Sequence, residues 1–445
     1  MPVYTYVTLS TLLQELANRL YDPSQVFWTA AELQMYVAEA LRTFNALTSY
    51  WRGDFVFPSI ASTTWYDLTA VSNSLVPYTL LDTDLYNVIE YHLLEPPTGS
   101  AWTGSSQFTA DDLINAVARR RDEILSVTGC TTTRHTVPAV AGRIALPDIV
   151  LDVRRIAYLP TPPELPSVVW QDDAWALQSF APTFPLTPAG TPFSFRMSTQ
   201  PPISFDTDRP PAYAGSYEVL TIDAGTTLVA GTPQHLSIPD DWTHVIKWGA
   251  LADLLMRDGE ARDTLRAQYC EGRYQMGLRL LADAAMLLTM RVGNQVMQID
   301  AVRSGDFYNP AWQAASASAP TRAYHSGLNL VGLSPMPDAG PYSLTATVVQ
   351  NAPVPALSTD QVQLGRDDYD VILDYAQHLA AFKLGGSEFS DTQPLLTRFM
   401  RQASVYNAKL AELGEYTATL LDIAQRENDV NPRLAPIPAS GGGAV

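Results

Sequence analysis

The chain has 445 residues, and 28 Lys plus Arg against 46 Asp plus Glu give a formal charge of −18. Hydrophobic residues make up 46 %, which supports real cores and excludes global disorder, and the length allows roughly two to four folding units. The acidic total argues against a protein that grips nucleic-acid phosphates, which takes clustered Lys and Arg, but leaves room for a surface that DNA passes without sticking. Charged residues are only 17 %, with 33 Pro and 21 Tyr, a composition suited to a chain that sits among neighbours. Cys130 and Cys270 lie far apart, so neither a disulfide framework nor a thiolate zinc site is expected. Residues 1–20 lack a basic start and an unbroken apolar stretch, so no secretion signal is expected. The most lipid-like segment, Leu278–Met290, is short and carries Arg279 and Asp283; no membrane span is expected, and synthesis in a reducing cytosol is the default.

Two internal echoes organise the text. Phe27-Trp28-Thr29-Ala30-Ala31-Glu32-Leu33 returns as Gln107-Phe108-Thr109-Ala110-Asp111-Asp112-Leu113. In both, a Thr followed three residues later by an acid reads as a helix N-cap, with the carboxylate reaching back and the preceding aromatic packing on the first turn. Leu33, Val37, Leu41 and Phe44 then mark one helical face, matched by Leu113, Val117 and Ile124. Three extended runs follow each helix: Phe55–Phe57, Trp65–Leu68 and Tyr86–Tyr91 in the first, Thr136–Val137, Arg143–Leu146 and Leu151–Ile156 in the second. Each unit, about 8–95 and 108–158, is expected to be a capped helix feeding a small antiparallel sheet, within a region 1–158.

Residues 159–192 are proline-rich and contain Trp170 and Trp175. They read as an extended arm laid on another surface or as a plain linker. The second echo lies beyond. Pro239-Asp240-Asp241-Trp242 opens a helix ending near Asp258-Gly259, and Arg366-Asp367-Asp368-Tyr369 opens another ending at Gly385-Gly386. A longer helix of roughly 30 residues is expected after each glycine. Its stripe is Leu265, Tyr269, Met276, Leu280 and Leu287 in the first copy. In the second it is Leu395, Phe399, Ala403, Tyr406, Leu410, Leu413, Leu420 and Ala424. Strand-like text precedes both: Phe193–Met197, Ile203–Phe205 and Ser216–Leu220, then Leu328–Leu330, Gly332–Ser334 and Tyr342–Val348. The expected fold class is α+β, with duplicated capped-helix and small-sheet units at the front and duplicated β-hairpin plus helical-hairpin modules (193–292 and 328–427) behind. Residues 293–327 form a linker, and 428–445 a Pro- and Gly-rich tail expected to dock into a groove of a partner or sister subunit.

Catalytic patterns are thin. There is no Gly-x-Ser-x-Gly elbow, no Gly-x-x-x-x-Gly-Lys loop and no Gly-x-Gly-x-x-Gly turn. His92, His135, His235, His244, His325 and His378 include no pair three or four apart, so they read as core-edge or surface imidazoles. The acid pairs Asp111-Asp112, Asp172-Asp173, Asp240-Asp241 and Asp367-Asp368 could serve as acid and base in sugar hydrolysis, but three of the four stand where helices begin and read as caps. Asp82-x-Asp84 and Asp206-x-Asp208 have divalent-metal spacing that is common in turns. Arg119-Arg120-Arg121 could touch phosphate or a partner; Asp122 and Glu123 follow, so a solvated helix face is the favoured reading. Tyr50-Trp51, Trp65-Tyr66 and Trp242 could stack on sugars or bases, or serve core and subunit contacts.

The helix Leu9–Leu20, then Asp22-Pro23, Trp28-Thr29 with Glu32-Leu33, a helix and paired strands together resemble the head-to-tail connector (adaptor, or neck) proteins of tailed bacteriophages. Asp241-Trp242 through Tyr274, an acid and an aromatic opening a helical hairpin with a Gly turn, resembles the same family. The resemblance implies a virion protein, made in the host cytoplasm, that forms a ring, commonly of twelve copies. The ring docks on the portal protein above and on a neck or tail protein below, with genomic DNA passing its lumen unbound. Such proteins are typically not enzymes, and no cofactor, metal or membrane is implied. Candidate assembly contacts are Trp28, Trp51, Trp170, Trp175, Trp242, Tyr269, Tyr274, Tyr369, Phe399, Tyr406, Leu434 and Ile437. Two rival readings are another tail or baseplate component and a carbohydrate-active hydrolase built on an Asp pair.

Overall fold

The computed structural model describes residues 6–69, 78–93, 107–162, 165–173, 175, 179, 187–198, 202–259, 262–284, 286–340 and 342–412. The fold is α+β, as expected. Strand β1 (Val7–Thr8) runs into helix α1 (Leu9–Arg19), and α2 (Ala30–Thr48) follows. Thr29 caps α2 through its hydroxyl, which accepts the Glu32 N–H at 3.3 Å. Glu32 does not reach back as expected; it is buried and turned to other partners described below. The companion start on α4 (Ala110–Thr128) does close the reciprocal pair, with Thr109 Oγ1 accepting from Asp112 N and Asp112 Oδ2 from Thr109 N.

Between them lies a departure. Tyr86–Tyr91, expected as a strand, lies in helix α3 (Asp82–His92). The alternation of Tyr86, Asn87 and Val88 imitates a strand, but Leu85, Ile89 and His92 are buried at spacings of four and three residues, the helical period. Asp84 secures the start by accepting from Leu81 N at 3.1 Å.

The strands join across the expected units. β2 (Arg52–Pro58) pairs antiparallel with β16 (Ser343–Val349), in a four-stranded sheet with β11 (Leu287–Val292) and β12 (Gln295–Val296). β3 (Trp65–Asp67) pairs with β15 (Leu330–Ser334), beyond which lie β14 (Arg322–Ser326) and β13 (Gln298–Ala301). β1 pairs with β17 (Gln361–Val362). So the front of the chain completes sheets begun by its last third. A third sheet takes β4 (Thr133–Pro138), β5 (Ile144–Ala145), β6 (Val150–Pro160), β7 (Ser167–Gln171), β8 (Ser194–Ser198), β9 (Ser204–Thr207) and β10 (Gly215–Asp223), in the order β4-β10-β6-β7-β8-β9-β5. Strand β7 comes from the proline-rich stretch, antiparallel to β6 and parallel to β8, so that part of the expected arm is an interior strand of the chain's own sheet. Ile144 of β5 and Tyr217 and Val219 of β10, from opposite ends of this order, share one apolar cluster, so the sheet curls around its own core.

The remaining helices are α5 (Thr243–Met256), α6 (Thr264–Ala282), α7 (Val302–Tyr308), α8 (Arg366–Ala381), α9 (Gly386–Ser390) and α10 (Gln393–Glu412). Helix α6 is shorter than expected: it ends at Ala282, and Leu287 belongs to β11. The segment Leu287–Val292 instead pairs antiparallel with β16. On α10, Phe399 and Ala403 are buried, Leu395 and Tyr406 partly so; Leu410 lies in the helix, while Leu413, Leu420 and Ala424 fall outside the described residues. Each helical hairpin recruits one front helix: α4 packs on α5 and α6, and α2 on α8 and α10. One large core runs through both sets. Among the described residues no helix is long and apolar enough to cross a membrane.

Candidate functional site

Helix α2 carries two buried carboxylates. Glu32 and Glu39, two turns apart, leave the same face of the helix. Glu39 accepts two hydrogen bonds from Lys247 of α5, at 2.5 and 2.6 Å. Lys247 also reaches Nε2 of His92 on α3 at 3.2 Å, so that ring nitrogen accepts and the imidazole is neutral. Burial pushes the His92 pKa well below its usual value, and the Lys247 charge adds to the effect. Glu32 takes Lys383 at 2.9 Å and the Tyr36 hydroxyl at 2.7 Å. A buried ion pair is stable only when its spare donors and acceptors are filled, and here they are shared among three helices, α2, α3 and α5, and the α8 end.

His378 on α8 is a second buried imidazole. Thr392 donates its one hydroxyl proton to the Phe389 carbonyl at 2.6 Å, so it must accept from His378 Nδ1–H at 2.8 Å. That leaves Nε2 to accept the Tyr269 O–H at 2.7 Å, and burial lowers the His378 pKa to about 3.

Asp240 and Asp241 are not caps. Asp240 accepts from the Thr79 and Leu80 N–H groups at 2.8 and 3.0 Å and from Asn351. Asp241 accepts from the Asn45 amide on α2 and from Ala352 N–H. Asn45 also donates to Gln350 O and accepts from Trp51 N–H. The pair staples three distant segments to the start of α5, and burial raises the Asp241 pKa to about 7. Asp112 and Asp84 do cap helices, whereas Asp206 pairs with Arg196 and Asp208 with Arg209. Among the described residues no group of three His, Cys, Asp or Glu is placed to hold a metal ion.

The loop between α1 and α2 is a rigid knuckle. Tyr21 and Gln25 adopt φ of 57° and 54°, backbone that non-glycine residues rarely take. The Asp22 carboxylate accepts the N–H groups of Val26, Phe27 and Trp28 at 3.0, 2.8 and 3.0 Å. These bonds, Trp28's first, hold its pKa below the usual carboxylate range. Lys383 anchors the far side by donating to Phe27 O at 3.0 Å, and Trp28 Nε1 donates to Ala380 O at 3.1 Å. The knuckle presents Tyr21, Val26 and Phe27 to solvent, 95 %, 81 % and 51 % exposed.

Most of the aromatic side chains singled out from the sequence serve this chain's own core. Trp28, Trp51, Trp242, Tyr274 and Phe399 are buried within it. Tyr269, Tyr369 and Tyr406 are half-buried, Tyr406 among Phe44 and Tyr50. Trp170 and Trp175 are exposed, while Leu434, Ile437 and the whole of 428–445 lie outside the described residues. The arginine run is neither a phosphate clamp nor a plain solvated face. Arg120 is enclosed by Asp253, Glu123 and Glu271, Arg121 is buried against Asp122 and Thr226 O, and exposed Arg119 pairs with Asp253. The knuckle escaped sequence reading, although Asp22-Pro23 ahead of Val26-Phe27 is turn text beside an apolar pair.

A groove of about 350 Å³ lies between α2, α3 and the start of α5. Its walls include Ala31, Met35, Leu81, Leu85, Val88 and Val354, and at one end stand Arg42, His244 and Lys247. No protein-family model matches the chain, and no curated protein matches it at a significant level.

Proposed function

We propose that the chain is a structural subunit of a tailed-bacteriophage head-to-tail connector, a ring between portal and tail with DNA passing its lumen. The observation that carries this reading is the knuckle. A protein with no need of a partner has little reason to fix an exposed Tyr, Val and Phe in a loop with left-handed backbone at Tyr21 and Gln25, tied by three N–H bonds and riveted to α8. Preordering such a contact lowers the entropy lost on association. The net charge of −18 favours a lumen from which DNA is released freely, with little counterion release and so little dependence on salt. The engagement of Asp240 and Asp241 as structural acceptors weighs the hydrolase reading down.

The test is native mass spectrometry with negative-stain imaging of the chain alone and mixed with a portal protein. A closed ring in either preparation is the expected result. A monodisperse monomer in both would remove the connector reading.

A further inference from the structure

The groove between α2, α3 and α5 combines an apolar wall with one uncommitted cation. Arg42, half-buried in the lining, makes no direct hydrogen bond or salt bridge with any described residue, and its charge acts on Asp241 only at longer range. The acids that share the groove are already engaged. Glu39 is held by both bonds from Lys247, and Asp84 is tied to Leu81 N–H at the start of α3. Nearby Asp241 is saturated by Asn45 and Ala352. His244 donates from Nδ1 to the Asp241 carbonyl at 2.9 Å. Burial, then the Arg273 and Lys247 charges, hold it neutral with a pKa lowered to about 3. With Glu39 and Lys247 cancelling each other, Arg42 and the exposed Asp84 are the charges left on the lining, and Arg42 is the cation of the two. A planar guanidinium is matched by a carboxylate, which it can hold through two parallel bonds. Ala31, Met35, Leu81, Leu85, Val88 and Val354 offer aliphatic contact, and the neutral polar side chains of Gln34, Asn87 and Thr243 interrupt that wall.

We propose that this groove binds a small aliphatic monocarboxylate, its carboxylate on Arg42 and its chain along the α2–α3 wall. A volume of about 350 Å³ is at the small end of ligand sites and accommodates a medium-length chain with room to spare. The site is separate from the knuckle and stands or falls independently of the connector reading.

Isothermal titration calorimetry of the full chain with octanoate, octanol and acetate tests it, with thermal melts alongside. Octanoate is expected to bind one per chain and raise the melting temperature; octanol and acetate, each lacking half the recognition, bind at least roughly tenfold more weakly. Arg42→Gln should weaken octanoate by roughly tenfold while leaving octanol unchanged. Val88→Trp, at a half-exposed position that tolerates bulk, should block both by filling the wall. Equal binding of octanoate and octanol, octanoate binding indifferent to R42Q or to V88W, or no binding of octanoate at all would overturn the proposal.

Discussion

Buried titratable groups in this chain pull its stability in opposite directions with pH. The His378 ring is neutral, donating to Thr392 and accepting from Tyr269, with its pKa lowered to about 3. Between that value and the unfolded value near 6.5 the unfolded chain binds more protons, so stability is present above about pH 6.5 and is lost as pH falls. The slope for one such group is about 1.4 kcal/mol per pH unit. His378→Gln should therefore be less stable at pH 7 by roughly 1–3 kcal/mol through imperfect hydrogen bonding, yet lose stability more slowly from pH 6 to pH 4. Urea melts across that range read the change in slope separately from the offset. Asp241 has the opposite sign. Its folded pKa is raised to about 7, so its contribution is complete below about pH 4 and disappears as pH rises to 7. The stability of Asp241→Asn relative to wild type should improve steadily from pH 4.5 to pH 7.5; a constant difference over that range would show that the carboxyl is already charged when folded.

At the level of helices, the Glu39–Lys247 pair braces α2 to α5 where neither charge meets bulk water. Removing one partner strands the other. Lys247→Met should cost about 3–5 kcal/mol, while the double change Glu39→Leu with Lys247→Met should recover most of that loss, because the desolvation of both ions is relieved together. Chemical denaturation of the two singles and the double gives the coupling directly; additive costs would mean that the pair is solvated. What could be read from the sequence divides at this scale. Thr29 and Thr109 as caps and the stripes on α2 and α4 were legible because capping and the helical period are local. Tyr86–Tyr91 misled because Tyr86, Asn87 and Val88 alternate apolar and polar for one short stretch, while the buried Leu85, Ile89 and His92 follow the helical period. Asp240-Asp241 looked like caps because a carboxylate that accepts from its own first turn and one that accepts from a segment 100 residues away are the same residue type. The second kind depends on long-range folding.

Over the whole molecule, the pairing of β2 with β16 and β3 with β15 could not be seen in either echo, since strand partners are chosen by shape and register across the chain. The same limit governs the aromatic residues. Trp28, Trp51 and Trp242 are large apolar groups suited equally to a core or an interface, and only the packing of α2 against α8 and of α5 against its neighbours assigns them inward. On the connector reading proposed above, the outward contacts would fall instead to Tyr21, Val26 and Phe27, held by Asp22. This separation makes assembly and folding independently testable. Tyr21 and Val26 are almost fully exposed, so Tyr21→Ser with Val26→Ser should leave the melting temperature of the isolated chain within about 2 °C of wild type, as changes at open surface positions do. If the knuckle seats on a sister subunit or portal, the same variant should lose the ring by native mass spectrometry, and Asp22→Ala should weaken it by loosening the loop while both apolar side chains remain. A double variant that assembles like wild type would move the interface elsewhere on the surface; one that fails to assemble only because it has unfolded is recognised by its lowered melting temperature, and Asp22→Ala then decides between the two.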